Sequence, residues 1–476
     1  MALSAVLLAA LVQLSGLTTW FHHNLMAPRS FPNQLATFPP FKSTHPNRDQ
    51  LEYLLIRASS SSDSDEFRSC EDVTELDHQH VIVSCDPSRH EWNTVMGVLR
   101  KPEPKGSLWI VNPTHTRPVV AHKLDLINWP QDIDFHPLGI RVLDSRLFVI
   151  NHRRDKSTIE VFQISKTDDT STSLHYMTTI SHPSLTGAPN ALEPITQTSL
   201  WVTHDHKYNK RSTNVLVNFL NSIETIFARP WSKVDLVTFE DPPIDEDVNF
   251  STNQQRQAID VKVKTVARSI AFANGIAYSR QHNVLAVASS TRKIVHMYNV
   301  DNKTLQLTKF DNVKVPFLVD NLGVVPNSFF NQEEQESERN QNQPCFVATG
   351  HPAYLPLLLE SRNISISKWL PQAASWSVLL SRRPRSTTTT TTLDESETPI
   401  MSIQELKDIA YTSERTLPTR NWKLQTLFIS KGGSKHDDKA FGMSTTTVVG
   451  VDQSNGHRWI VLSGLYEKGL KLVREI

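Results

Sequence analysis

The sequence predicts an all-β fold made of many short strands, as in a sandwich, a barrel or a propeller. Short apolar segments alternate with turn residues along most of the chain, and apolar stripes with helical spacing are few. The chain has 476 residues with 38% hydrophobic content, which is enough for a large core. Because a propeller blade takes roughly 40–50 residues, about 400 residues can hold a six-bladed β-propeller.

Charge and cysteine content exclude several classes of function. The 49 Lys and Arg residues balance the 49 Asp and Glu residues and are interspersed with them, so no nucleic-acid-binding stripe is expected. Cys70, Cys85 and Cys345 are too few for a disulfide framework, although one disulfide and one free thiol are possible among them. No CxxC pair favours zinc or redox chemistry.

The N-terminal region predicts entry into the secretory pathway, as a secreted or membrane-anchored protein. Residues 1–23 contain an apolar run that is typical of a signal peptide or a short membrane anchor, although its usual basic flank is missing. Residues 24–66 are rich in Pro and Ser and indicate a flexible linker. Three N-x-S/T sequons fit this compartment, at Asn249, Asn302 and Asn363.

Residues 67–476 hold the predicted propeller. Two low-complexity insertions interrupt it, at 331–343 and 382–398, because neither can bury apolar surface. The clearest predicted strands are Ser107–Val111, Leu147–Asn151, Ile159–Ile164, Ser199–Val202, Val284–Ala288, Ile294–Tyr298, Cys345–Ala348 and Trp459–Ser463.

One segment has helical periodicity instead. Between Val215 and Phe227, apolar residues recur at spacings of three and four, and Pro230 ends the pattern. The apolar face of this amphipathic helix would cap a core, form the lid of a cleft or contact a membrane surface.

Short oxygen-bearing side chains follow two of the apolar runs. Asn274 follows Phe272-Ala273, and Asp320 and Asn321 follow Phe317-Leu318-Val319. Asn and Asp are poor strand formers, and one such residue usually marks a turn. Several of them around a closed ring of sheets would instead coordinate calcium, which takes about six to eight oxygen ligands.

A set of short motifs then follows in a fixed order along the chain, and the order is more specific than any single member. The motifs are Glu71-Asp72, residues 135–140, 149–152, 156–160, Pro189-Asn190, residues 202–206, 272–276, 318–321, 350–352 and 444–476. In these motifs the chain resembles the paraoxonase/arylesterase family. The resemblance implies a six-bladed propeller with calcium in its central tunnel and a few accessory helices, which hydrolyses aryl esters and lactones.

The resemblance also implies a ligand set for a catalytic calcium. Two carboxylates and three amides form a hard oxygen cage that suits calcium. A calcium ion in this cage would bind an ester carbonyl oxygen and stabilise the developing oxyanion. The implied ligands are Glu71, Asn190, Asn274, Asp320 and Asn321.

A second, structural calcium of the family has fewer matching ligands in this chain. Asp72 matches one ligand, and the carbonyl of Ile140 would be another. Ala191 stands where the resemblance implies an acidic ligand, so this site is expected to bind calcium more weakly.

The group that activates water is where the chain departs most from the family. The resemblance implies a histidine pair; His152 matches one member, but Leu138 stands at the other position and cannot accept a proton. His351 and Asp205 match two further polar positions, and a His351–Asp205 pair would be an alternative base.

The predicted function is therefore calcium-dependent hydrolysis of a small-molecule ester or lactone. No motif of a serine or zinc hydrolase occurs in the chain. One alternative, favoured by Leu138, is a propeller that keeps calcium but serves as a binding or scaffold protein. Another is a different calcium-propeller hydrolase, of the sugar-lactonase kind. The N-terminal segment and helix 215–227 also predict contact with a membrane or lipid surface.

Overall fold

The structure is a computed structural model that describes residues 34–36, 51–100, 105–166, 172–241, 259–330, 343–352, 354–363, 373–382, 416–418, 421–432 and 440–476. The predicted leader, residues 1–23, and the two predicted insertions, apart from residues 343 and 382, lie outside these ranges. Within them the predicted all-β fold is confirmed, because each segment predicted as a strand lies inside a strand of the structure.

Nine short strands occupy the N-terminal part of the described chain. They are β1 (Gln34–Ala36), β2 (Leu51–Ala58), β3 (Arg68–Asp77), β4 (His80–Cys85), β5 (Trp92–Asn93), β6 (Val98–Leu99), β7 (Ser107–Val111), β8 (Val120–Lys123) and β9 (Asp125–Ile127). Strands β3, β4, β7 and β8 pair in that order as antiparallel neighbours, and β5 pairs with β6.

Three antiparallel meanders follow. Asp144 and Asn283 adopt positive φ in the first hairpin of the first and third meanders, a conformation that their short polar side chains tolerate. The strands are β10 (Pro137–Leu143), β11 (Arg146–His152), β12 (Ser157–Lys166) and β13 (Thr172–Ile180); β14 (Pro189–Thr196), β15 (Ser199–His204), β16 (Ser232–Phe239) and β17 (Val261–Ile270); and β18 (Ala273–Ser279), β19 (Val284–Ser289), β20 (Ile294–Val300) and β21 (Leu307–Lys314). Strand β9 adds to the first meander, parallel to β13.

The C-terminal strands complete two further sheets. They are β22 (Leu318–Val324), β23 (Cys345–His351), β24 (Ser375–Arg382), β25 (Thr416–Pro418), β26 (Trp422–Ser430), β27 (Ser444–Val451), β28 (Arg458–Lys468) and β29 (Leu470–Glu475). One sheet has the order β1-β26-β24-β23-β22 with β25 on β26, and an eight-stranded sheet has the order β27-β28-β29-β2-β8-β7-β4-β3.

Strand β2 corrects the prediction of a flexible linker over residues 24–66. Leu51–Ala58 pairs antiparallel with β29, from Leu51 opposite Glu475 to Ile56 opposite Leu470. Ile56 is fully buried. The prediction was based on the Pro- and Ser-rich composition of the surrounding segment. It overlooked the short apolar run that pairs as a strand.

Six strands, which we call the inner strands, contact one another in a closed series. Strand β3 contacts β10, and the series continues through β14, β18, β22 and β27 back to β3. Strands that meet in this way around one axis give the fold its propeller-like form. Apolar residues fill the spaces between neighbouring sheets, among them Trp109 and Trp459 in one cluster and Phe317, Trp376 and Trp422 in another.

Each of these inner strands carries an irregularity in its pairing near its N-terminal end. A β-bulge bends a strand and changes the direction of its side chains. The registers shift between Cys70 and Asp72, Pro137 and Ile140, Pro189 and Leu192, Ala273 and Ile276, Val319 and Leu322, and Ser444 and Thr447.

The cysteine pairing left open by the sequence is resolved in the fold. Cys70 on β3 and Cys85 on β4 form a disulfide. Cys345 is buried and keeps its thiol.

Two α-helices lie in connections between strands of the described chain. Helix α1 (Val215–Ile226), predicted from the sequence, connects β15 with β16, and Asn214 caps it by accepting a hydrogen bond from the Leu216 amide. Helix α2 (Tyr354–Ser361) follows β23. Short 3-10 turns span Pro183–Leu185, Ser290–Arg292 and Asn327–Phe329. Among the described residues no helix has the length and apolar character needed to cross a membrane.

Candidate active site

A cavity, partly open to solvent, lies where the bulged ends of the inner strands meet. Its polar lining includes Glu71, Asn190, Asn274, Asp320 and His351. The rest of its wall is mainly apolar and includes Met96, Leu138, Phe272, Leu318, Leu357 and Leu465.

Four of the five residues predicted as ligands of a catalytic calcium therefore line one cavity. The fifth, Asn321, follows Asp320 and donates from Nδ2 to Glu71 Oε1 at 2.9 Å. Asn274 likewise donates from Nδ2 to Asp320 Oδ1 at 2.7 Å. These two amides use their NH₂ groups on carboxylates, which leaves their oxygens available to another group.

Four oxygens of this cluster accept no hydrogen bond. Glu71 Oε2 and the Oδ1 atoms of Asn190, Asn274 and Asn321 are buried and have no hydrogen-bond partner. Unpaired buried acceptors cost free energy, and such a group calls for an explanation. A hard cation would satisfy all of them at once, and a mixture of carboxylate and amide oxygens suits calcium.

The composition of the cluster disfavours a transition metal. Within the described ranges, no group of three or more His, Cys, Asp or Glu side chains is placed to hold a metal ion. Amide side chains contribute most of the candidate ligand oxygens here, and amide oxygens are ligands of calcium rather than of zinc or copper.

The electrostatics of Glu71 also favour a cation in this cluster. Burial raises the pKa of Glu71 well above its ordinary value, and the neighbouring carboxylates of Asp72 and Asp320 raise it further. Arg89 and the hydrogen bond from Asn321 act in the opposite direction. A cation beside the carboxylate would offset this cost of holding several acids together.

Asp72, predicted as a metal ligand, is instead saturated by donors of the protein. Its Oδ1 accepts from the Val73 amide at 2.9 Å and from Thr446 Oγ1 at 2.8 Å. Its Oδ2 accepts from the Ile140 amide and from Arg141 Nη1, each at 2.9 Å. The prediction followed the family motif and could not include the arginine on the neighbouring strand.

His152, predicted as the general base, is held by hydrogen bonds on both ring nitrogens. Nε2 lies 2.7 Å from the Pro189 carbonyl, and because a carbonyl only accepts, Nε2 carries the proton. Nδ1 then accepts from Thr94 Oγ1 at 2.6 Å. Burial and, secondarily, the charge of Arg211 lower the pKa of His152 to about 3. The contacts of His152 therefore do not favour the predicted role of general base.

His351 lies in the cavity wall with a different partner from the one predicted. Its Nε2 lies 2.8 Å from Asp320 Oδ2, and its buried Nδ1 has no hydrogen-bond partner. Asp205, predicted to pair with His351, bonds to His206 Nδ1 at 2.9 Å instead. Strand pairing explains the change, because His351 on β23 lies opposite Leu318, two residues before Asp320.

The apolar wall also differs from the prediction. Helix α1, for which the lid of a cleft was one expectation, contributes no residue to the cavity lining, whereas α2 contributes Tyr354 and Leu357. Leu138 is 4% exposed and lines the cavity. The position at which the resemblance implies a histidine is therefore part of an apolar surface in this chain.

One supporting residue was missed in the sequence. Thr446 on β27 donates to Asp72 Oδ1 and accepts from Asn321 Nδ2 at 2.9 Å, so it connects the inner strands below the cavity. The signal was the polar run of residues 444–447 at the start of an otherwise apolar strand.

Comparisons with known proteins show what the chain as a whole is similar to. The family model described as Arylesterase matches residues 100–331. Serum paraoxonase/lactonase 3 of Oryctolagus cuniculus is 28% identical over 231 residues, which cover 47% of this chain and 55% of that protein. Serum paraoxonase/arylesterase 2 of Bos taurus is 29% identical over 199 residues, 41% of this chain and 47% of its own. The human serum paraoxonase/lactonase 3 is 30% identical over 198 residues, 40% and 46% of the two chains.

These matches have limits of length and of structural likeness. The chain spans about half the length of the curated relatives that it matches. Among solved structures, a luciferin-regenerating enzyme covers 90% of this chain and 95% of its own, at 10% identity and a TM-score of 0.36, a likeness too low to support a conclusion. The family model and the curated relatives show that this part of the chain is similar to the arylesterase, or paraoxonase, family.

Proposed function

We propose that the protein is a calcium-dependent hydrolase of carboxylic esters and lactones. The observation that carries this proposal is a group of buried oxygens that accept no hydrogen bond and lie beside a largely apolar cavity. His351, whose Nδ1 has no hydrogen-bond partner, lines the same cavity. The names of the relatives, paraoxonase, arylesterase and lactonase, support the same reaction class.

We further propose a six-bladed propeller, in which the eight-stranded sheet counts as two blades. One blade would be β3-β4-β7-β8 and the other β27-β28-β29-β2, joined by the short parallel pairing of β2 with β8. Each blade then starts with one of the six inner strands that contact in series.

In the proposed reaction, calcium would be held by the five predicted ligands and would polarise the carbonyl oxygen of the substrate. His351 Nδ1 accepts the proton of the attacking water. Asp320 keeps the Nε2 proton of His351 in place and stabilises the imidazolium that forms. Leu138, Phe272 and Leu357 hold the apolar part of the substrate and exclude water.

The first test is hydrolysis of phenyl acetate and of a medium-chain lactone by the purified full chain. Turnover is expected with calcium, and chelation is expected to remove it with recovery when calcium is restored. Circular dichroism and a measurement of bound calcium control for folding. A folded, calcium-loaded protein without turnover on either substrate would contradict the hydrolase and favour the binding protein that Leu138 suggests.

We also propose that α1 contacts a lipid surface, because its amphipathic orientation is inverted. Glu224 is buried and accepts from the Lys207 and Tyr208 amides, so the polar face of the helix points into the protein. Five apolar residues of the helix and its C-cap point outwards: the exposed fractions are 82% for Val215, 63% for Leu216, 59% for Phe219, 49% for Ile226 and 55% for Phe227. The sequence-based expectation that this face caps a core is therefore wrong.

A basic residue accompanies the apolar face, as in helices that lie in a membrane interface. The Arg229 guanidinium lies 6.0 Å from the centre of the Phe227 ring. Wild-type protein is expected to co-sediment with phosphatidylcholine vesicles, and Leu216→Ser/Phe219→Ser is expected to lose most of this binding. Val324→Ser, at a residue that is 41% exposed elsewhere on the surface, is the matched control. Equal vesicle binding by wild type and both variants would contradict the assignment.

The proposed location is the secretory pathway. The Cys70–Cys85 disulfide is of the kind that persists in oxidising compartments. The sequon residues Asn302 and Asn363 are exposed and would be open to glycosylation.

A further inference from the structure

A buried arginine lies where the inner strands converge. Arg141 on β10 is 8% exposed. Its Nη1 donates to Asp72 Oδ2 at 2.9 Å and to the Ile140 carbonyl at 2.8 Å. Its Nη2 donates to the Leu322 carbonyl at 2.8 Å and lies 3.5 Å from the Ile276 carbonyl.

The remaining N–H of the guanidinium also faces an acceptor, since Nε lies 3.5 Å from Glu193 Oε2. Every N–H group of this side chain is thereby directed at an oxygen. Burial lowers the pKa of Arg141, but the carboxylates of Asp72, Glu193 and Glu71 raise it above its ordinary value overall. Arg141 is thus a permanent cation inside the ring.

The acceptors of Arg141 come from almost the whole ring of inner strands. Asp72 belongs to β3, Glu193 to β14, Ile276 to β18 and Leu322 to β22, and Arg141 itself lies on β10. The sixth strand, β27, is connected through Thr446, which donates to Asp72 Oδ1. One guanidinium therefore holds together strands that are far apart in the sequence.

This arrangement does not fit the second, structural calcium that the family resemblance implies. The two ligands expected for that ion, Asp72 and the Ile140 carbonyl, already accept from Arg141 Nη1. Ala191, at the position of a third ligand, offers no side-chain oxygen and is 1% exposed. A calcium ion bound to the same oxygens would also lie beside the positive charge of the guanidinium.

We propose that Arg141 takes the place of the structural calcium, so that the chain binds one calcium ion, and that Arg141 is a positioning residue for that ion. The path of its influence is a chain of hydrogen bonds. Asp72, fixed by Arg141, accepts from Thr446; Thr446 accepts from Asn321; and Asn321 donates to Glu71 Oε1. Asn321 and Glu71 thereby present their unpaired oxygens in a fixed direction. The inference rests on the calcium site of the proposed function.

The number of calcium ions per wild-type chain tests the first part without any variant. After dialysis of the full chain against micromolar calcium, atomic emission is expected to give one calcium per chain, and isothermal titration of the chelated protein is expected to show one class of site. Two ions per chain would overturn the inference but leave the proposed hydrolase intact. No bound calcium would overturn both.

Variants of Arg141 test the positioning role. Arg141→Met is expected to lower the melting temperature and to weaken calcium binding by about 10-fold or more, because the residues that orient metal ligands usually have effects of this size. Arg141→Lys keeps the charge but loses the fork of donors, so an intermediate effect is expected and provides a second variant if the first does not fold.

The matched control is Arg458→Met, which removes another buried arginine–carboxylate pair. Arg458 Nη2 lies 2.7 Å from Glu475 Oε1, at the C-terminal sheet and away from the cavity lining. This variant is expected to lower the melting temperature with unchanged calcium affinity. If both Arg141 variants and the control lower the melting temperature but leave calcium affinity alone, Arg141 has only a structural role and the positioning inference is overturned.

Discussion

Asp320→Ala is expected to abolish calcium-dependent ester hydrolysis, lowering kcat/KM by about 1000-fold or more. Asp320 accepts from Asn274 Nδ2 on one oxygen and contacts His351 Nε2 with the other. Its removal takes away one of the two carboxylates of the cation site and the group that orients the proposed base. Calcium affinity by isothermal titration and kcat/KM for phenyl acetate should both fall.

Asp235→Ala is the matched control for this variant. Asp235 is fully buried and also faces a histidine, with Oδ2 at 3.0 Å from His204 Nε2, but it is not part of the cavity lining. Its loss is expected to lower stability by a few kcal/mol and to leave calcium affinity unchanged. Asp320→Ala with calcium affinity and turnover within tenfold of wild type would rule out the proposed site.

His351→Gln is expected to lower kcat by about 100- to 10,000-fold while calcium affinity changes only a few-fold. Glutamine can still donate to Asp320 but cannot take up a proton. The loss should therefore fall on kcat rather than on binding. Initial rates at saturating calcium and isothermal titration of calcium measure both effects.

The variant His152→Gln tests whether His152, rather than His351, is the general base. His152 is buried between Thr94 and the Pro189 carbonyl, so its substitution is expected to lower the melting temperature and to lower kcat much less than His351→Gln does. A larger loss of kcat in folded His152→Gln than in His351→Gln would assign the base to His152 and contradict the geometry.

The candidate ligands could be predicted from the sequence because they break a local rule. Asn274, Asp320 and Asn321 are polar residues in strands that are otherwise buried, and such residues need a partner or a ligand. The bulges that turn these side chains towards the axis were not predictable, since a bulge is a property of two paired strands rather than of one segment.

The side chains that contact these site residues could not be predicted from the sequence. Asp72 pairs with Arg141, and His351 pairs with Asp320 rather than Asp205, because the ring brings together strand ends that are distant in the chain. Periodicity correctly placed helix α1. It did not indicate which face meets the protein, because the buried polar contacts of Glu224 depend on the backbone at Lys207 and Tyr208.

The pairing of β2 with β29 has a consequence for the biogenesis of the protein. The eight-stranded sheet pairs β2, which begins at Leu51, with β29, which ends at Glu475. The ring therefore cannot close during translation until nearly the whole described chain has left the ribosome. Glu71 and Asn321, which are 250 positions apart, are also brought together only by the assembled ring. Nascent chains should therefore expose open sheet edges and depend on chaperones, and binding of the metal should mark the completion of folding rather than its start.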